Sequence, residues 1–257
     1  MVLALVLALL AGLSMGLLGA GGSMLTVPIL VYVLGIPAGE AAPTALLVVG
    51  GTAAFALLRH APSGRVRWRL GLGFGATSMA GGYLGGRVAF LLSDRAILSL
   101  FALVALAASG SMLFGSPSPR QAPGLPSTPL LGSLGFSVGT ITGLVAAGGG
   151  FVVVPSLVFF AGIPMHEAVA TSLLVISMNA LAGVLGHLHH ASIDLSIALP
   201  ILASAALGTG VGVALSSQVS GPSLRRAFGV LVLVIAVGIL GQQAISATSA
   251  PSLPASP

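Results

Sequence analysis

The chain has no cysteine and no lysine, and only 13 of its 257 residues are charged, nine of them arginine. Without cysteine there are no disulfides, no thiolate nucleophile and no cysteine-based metal site. A chain that is 5% charged and 56% hydrophobic, with a mean hydropathy of +1.13, cannot cover a water-soluble surface. It reads as a polytopic, all-α membrane protein, and its 37 glycines suit helices that pack closely in lipid. The formal net charge of +5 is too thinly spread to indicate nucleic acid and points to membrane orientation instead. No Walker motif is present, so ATP hydrolysis by this chain is excluded. The apolar start Met1–Leu10 lacks a basic leader region and has a mid-chain equivalent, so it is read as structure and not as a signal peptide.

What is present is a repetition. Gly16-Leu-Leu-Gly-Ala-Gly-Gly-Ser-Met-Leu-Thr-Val-Pro28 recurs 127 residues later as Gly143-Leu-Val-Ala-Ala-Gly-Gly-Gly-Phe-Val-Val-Val-Pro155. At the same offset Gly35-Ile-Pro37 falls on Gly162-Ile-Pro164, Glu40 on Glu167, Thr44 on Thr171, His60 on His187, Gly81 on Gly208, Gly85 on Gly212 and Phe101 on Phe228. Roughly half the positions in the first part of this alignment are identical, well above chance for such a composition. The expected organisation is a transmembrane repeat over 1–115, a Pro/Ser-rich linker over 116–128, a second repeat over 129–241 and a disordered tail over 242–257.

Each repeat opens with an apolar run too long to cross straight. Val2 to Leu34 as one helix would measure about 50 Å against a hydrocarbon core of about 30 Å. The run is expected to break at Gly19–Gly22, where helix propensity is low and Pro28 follows. Further spans are expected over 41–58, 70–92 and 96–114, and in the second repeat over 168–188, 195–219 and 224–239. The loop carrying Arg59, Arg65, Arg67 and Arg69 is assigned to the cytoplasm. If the glycine break reverses the chain, each repeat crosses an odd number of times and the two are inverted; Arg120, Arg225 and Arg226 then share the cytoplasmic side, with Arg95 the exception. A straight run would make the repeats parallel and put Arg225 and Arg226 outside.

A helix restarting after a break presents free N–H groups and the positive end of its dipole, a natural anion site. Gly21, Gly22 and Ser23 begin one such half-helix, and Gly148, Gly149 and Gly150 the other. Polar residues in the following spans, Thr44, Thr52, Thr171, Ser172, Ser177 and Asn179, are candidate cavity donors, since lipid-facing positions disfavour them. Thr44, Thr171, Ser172 and Asn179 complete the expected substrate set; each alone could equally bond a neighbouring helix. Glu40 and Glu167 follow Gly-Ile-Pro in a helix-start pattern, with a proton-carrying role as the other reading. His187, His189 and His190 lack a second ligand cluster, so no metal is expected, nor any other cofactor. Ser23 after a glycine, with His187 elsewhere in the chain, does not make an intramembrane serine protease, because Gly150 takes the serine's place in the second copy and no nucleophile elbow is present. The chain is therefore read as not an enzyme.

The paired segments Gly19-Ala-Gly-Gly22 to Pro28 and Ala146-Ala-Gly-Gly149 to Pro155, each continued by Gly-Ile-Pro and an Ala/Thr/Ser-rich helix, resemble the TauE/SafE family of sulfite and organosulfonate exporters over nearly the whole chain. The resemblance implies a multi-pass protein of the bacterial inner membrane that exports a small sulfur-containing oxyanion. Its expected partners are that small anionic substrate, membrane lipid and a proton or another coupling ion; a homodimer is open to it. A passive anion channel and a scaffold without transport are the alternative readings.

Overall fold

The computed structural model describes residues 1–36, 38–89, 91–92, 94–115, 128–145, 150–187 and 194–248, with the side chains of Ser23, 38–40, 42, 89, 94–95, 98, 128, 145, 186–187 and 242–248 left aside. Among these, regular structure is entirely helical. The helices are α1 (Val2–Leu18), α2 (Gly21–Pro28), α3 (Ala38–His60), α4 (Trp68–Ala89), α5 (Asp94–Phe114), α6 (Thr128–Val145), α7 (Gly150–Phe159), α8 (Met165–His187), α9 (Leu195–Ser216) and α10 (Gly221–Thr248). Four stretches, Pro43–Ser63, Met165–Leu185, Leu195–Ser216 and Gly221–Gly241, are long and apolar enough to cross a membrane. α10 runs on to Thr248, past the expected start of the disordered tail at 242.

The long first run breaks where the glycines predict. α1 ends on Gly19, whose left-handed φ of 79° lets its N–H bond the Met15 carbonyl. A side chain there would also meet Ser172 Oγ and Val169, so glycine is required twice over. α2 and the π-helical turn Ile29–Val33 after Pro28 then fold back along α1: Ile29, Leu25, Val33 and Leu34 pack on Ala4, Leu7 and Ala11. The break is thus a reversal. The π turn was not legible in the sequence; it follows a proline that lacks the N–H an α-helix needs. The returning segment ends at Gly35 (φ 71°), with the Ile36 amide on the Leu30 carbonyl at 3.1 Å; α7 ends the same way at Gly162 (φ 67°), with Ile163 on Leu157 at 3.3 Å.

Two glycine-lined crossings hold the bundle. Where α1 meets α9, a side chain at Gly12, Gly16, Gly208 or Gly212 would run into the backbone of the facing helix; α4 and α6 meet likewise at Gly81, Gly85, Gly139 and Gly143. All four helices carry the Gly-x-x-x-Gly spacing that permits such approach. Hydroxyls stitch the first crossing, with Thr209 Oγ1 donating to the Gly12 carbonyl at 3.0 Å and Ser204 Oγ to Leu5 at 2.7 Å. Gly208 faces Leu9 and Gly212 faces Leu13, so α1 and α9 run parallel; Gly139 faces Ser78 and Gly143 faces Gly82, so α4 and α6 do too. Between the crossings, α3 and α8 run antiparallel, since Gly50 abuts Ala180 while Gly183 abuts Leu46.

α7 sits at the centre, buried at every position from Gly150 to Val158, with Phe151 against Phe101 at 5.0 Å between ring centres. The outside is apolar instead of charged: Leu199, Leu207 and Val211 on α9 and Val230, Val234 and Val237 on α10 are exposed. In a protein of this composition such a surface faces lipid.

Candidate functional site at the glycine breaks

The starts of the two half-helices meet. A side chain at Gly150 would collide with Ala20, the residue immediately before α2, and with Ile176 of α8. Gly19 to Gly22 and Gly150 are all buried. Ala20 has no side-chain oxygen, and no side-chain cap bonds the first turn of α2. The dipole ends of α2 and α7 therefore point into one small-residue region deep in the bundle. Asp194 shows the alternative at the exposed start of α9, where its carboxylate accepts from the Ser196 N–H at 2.9 Å and is held below its ordinary pKa by the Ser196 hydroxyl and amide.

The space beside the first break is small. A cavity of about 10 Å³ is lined by Ala11, Gly12, Met15, Gly22, Thr26, Val49, Thr52 and Ala205, room for about one water. Its hydroxyls serve their own helices: Thr26 donates to Gly22 at 2.9 Å and Thr52 to Val48 at 2.6 Å.

The candidate residues are distributed around this region. Ser172, fully buried, donates to the Gly19 carbonyl at 3.2 Å and to Val169 at 2.8 Å, tying α8 to the break itself. Thr171, also fully buried, accepts the Arg67 backbone N–H at 3.1 Å. Thr44 is buried. Asn179 donates from Nδ2 to Ser78 Oγ at 3.0 Å, while its Oδ1 is buried without a partner among the described residues. Ser177 donates to its own helix at Leu173, a structural use. Gly21 and Gly22 open α2; the side chain of Ser23, and Gly148 and Gly149 entirely, fall outside the described residues, as do His189, His190 and the side chains of Glu40 and His187.

Sequence reasoning missed Ser78. It is fully buried in glycine-rich α4, and the signal was available: a hydroxyl on a helix face otherwise built of small residues. It also missed the partner of Glu167. Glu167 lies in the first turn of α8, as its helix-start pattern implies, and pairs with Arg67 through Nε–Oε2 at 2.7 Å and Nη2–Oε1 at 3.2 Å. The hydrogen bond, then the charge, raises the Arg67 guanidinium above its already high ordinary pKa.

The family model for the sulfite exporter TauE/SafE matches residues 4–239, nearly the whole length. The chain belongs to the TauE/SafE family. Relatives of this TauE/SafE protein include a probable membrane transporter protein of Xylella fastidiosa, 30% identical over 90% of this chain and 91% of its own. Others are a probable membrane transporter protein of Methanocaldococcus jannaschii, 27% identical with 93% of each chain covered, and YunE of Bacillus subtilis, 25% identical over 91% of this chain and 95% of its own. No solved structure matches. Family and fold together make this a multi-pass protein of a membrane transporter family.

Proposed function

We propose that this chain is a secondary transporter that exports a small sulfur-containing oxyanion, sulfite or an organosulfonate, across a bacterial inner membrane by alternating access. The observation that carries the reading is the meeting of the two half-helix starts at Ala20 and Gly150, deep inside the bundle. Two N-terminal dipole ends and their amides can hold a monoanion without a buried arginine, whose desolvation would be costly. Gly21, Gly22, Ser23, Gly148, Gly149 and Gly150 supply the amides, and Thr44, Thr171, Ser172 and Asn179 the surrounding polar groups. The name of the family supports the sulfur oxyanion as cargo.

The proposed plan is two inverted repeats. Every element finds its equivalent 127 residues on: the α1–α9 crossing uses Gly12, Gly16, Gly208 and Gly212, and the α6–α4 crossing uses Gly139, Gly143, Gly81 and Gly85. α3 and α8, equivalent under the same offset, pack antiparallel, which supports a twofold axis lying in the membrane plane. The small cavity beside the first break supports reading this conformation as one closed on the proposed site, from which the halves part during transport.

The test is efflux of sulfite and sulfoacetate from vesicles, with Gly22→Val and Gly149→Val introduced singly. Saturable flux that drops at least about tenfold in both variants, a loss of roughly 1.4 kcal/mol, is the expected result. Undiminished flux in both rejects the glycine site, and ohmic single-channel currents replace the carrier by a pore.

A further inference from the structure

A cleft of about 400 Å³ lies at the arginine-rich end. It lies between the chain leaving α3, with Leu58, Arg59, Ser63 and Arg65, and the last turns of α9, with Val213 and Ser217. Its lining brings two guanidinium groups and the Ser63 and Ser217 hydroxyls together with the aliphatic Leu58, Val213 and Ala214. Arg59 and Arg65 have no carboxylate partner among the described residues, the ion pair there being Arg67 with Glu167. His60, only 3% exposed, lies against the cleft, its Nε2 without a hydrogen-bond partner and its ring set against the Gly16 backbone.

The position of the cleft decides what fits it. It opens at the ends of α3 and α9, and its His60 and Val213 adjoin Gly16 near the end of α1. Leu58 at its edge is 71% exposed, and the α9 row of Leu207, Val211 and Leu215, exposed at 70%, 54% and 40%, leads up to it from the depth of the bilayer. Phe55 and Gly210 continue this strip where α3 and α9 adjoin. A free oxyanion would satisfy the arginines and leave the strip unused. A phospholipid uses both, its phosphate between the cations and its chains along the apolar row, and unpaired basic groups at the cytoplasmic ends of helices are suited to anionic headgroups.

We infer that this cleft binds the phosphate of an anionic phospholipid, with the acyl chains lying along the α3–α9 strip. The lipid would clasp the α3 end of one half to the α9 end of the other, and so bias how the halves move.

The test uses delipidated full-length protein in detergent, titrated with phosphatidylglycerol or phosphatidylcholine and followed by native mass spectrometry. Phosphatidylglycerol is expected to be retained preferentially, and the Arg59→Ala/Arg65→Ala double variant to bind it about thirtyfold more weakly, the equivalent of two surface arginines, with phosphatidylcholine binding unchanged. Ser217→Trp, which fills the cleft from α9 and keeps both arginines, is expected to give the same loss; lipid-free melting temperatures like that of the parent show both variants folded. Equal retention of the two lipids, or full phosphatidylglycerol binding in a folded variant, overturns the inference. So does displacement of the lipid by millimolar sulfate, which would make the cleft a site for free oxyanions.

Discussion

In the proposed plan of two inverted repeats, the halves share one backbone design and furnish it differently. Beside the first break the cavity is walled by Met15, Thr52 and Ala205, and its hydroxyls are turned back onto their own helices. The positions 127 residues away from these three hold Thr142, Asn179 and Ser78. There Asn179 bonds Ser78 across two helices and keeps an unpartnered oxygen. A second contrast lies at the helix entrances. Arg67 grips Glu167 at the arginine-rich end, whereas the same two offsets at the other end give Asp194 and Glu40, two acids. Backbone geometry and polar chemistry therefore follow separate rules: the glycines must be duplicated for the helices to meet at all, while the side chains around them are free to differ. In the proposed transporter this makes one half-site polar and the other nearly apolar, and one gate latched by charge and the other not.

The comparison breaks outright if the halves do not run in opposite directions. A reporter fused after Gly221 should give a cytoplasmic signal, on the side of Arg59 to Arg69, because His166 at the start of α8 contacts the Val219 carbonyl at 3.0 Å and approaches Gly221. A periplasmic signal there ends the inverted plan.

The crossings offer the next largest effect. Gly12→Leu and Gly139→Leu each drive a side chain into facing backbone, at Ala205 and Ser78 respectively. Each is expected to cost about 3 kcal/mol or more, lowering the melting temperature in detergent by roughly 6–12 °C. Similar losses from both sharpen the equivalence of the two crossings, and a loss from one alone breaks it.

Asn179→Ala and Thr52→Ala then compare the furnishings. Removing the Asn179 amide strands Ser78 in a buried site, and an apparent affinity loss of about tenfold is expected in flux assays, equivalent to about 1.4 kcal/mol. Thr52→Ala deletes only a bond within its own helix and should change affinity by less than about threefold. Equal effects would show that both half-sites contact the substrate alike.

The smallest effect belongs to the latch. Arg67 is half exposed, so Glu167→Gln should change stability by no more than about 1 kcal/mol, an effect that shrinks further at high salt. A raised arginine pKa stabilises fully below the unfolded value and is lost only as pH climbs through the higher folded one. Melting curves from pH 6 to 9 should therefore show no titration from Arg67.

How much of this was legible in the sequence depends on the scale of the feature. The reversal at Gly19, the all-helical bundle and the grouping of arginines followed from glycine clusters, hydropathy and charge, because lipid leaves the backbone few options. Ser172 and Thr171 bond backbone at the break and at the Arg67 loop, the structural use that the sequence left open beside a cavity-lining one. The π turn after Pro28, the Ser78 partner of Asn179 and the Arg67–Glu167 pair were not legible, since each depends on which helices become neighbours. Pairs about a hundred residues apart, such as Ser78 with Asn179, leave no periodic trace in one sequence.

The crossing of α1 with α9 also governs how the protein can be made. Thr209 and Gly12, bonded in the finished bundle, are 197 positions apart. At ordinary synthesis rates the first helix leaves the ribosome on the order of 10–40 s before its partner exists. During that interval its glycine edge, made to touch another backbone, has only acyl chains or an insertase for company. The first twenty residues must therefore wait in the membrane for a partner most of the chain away.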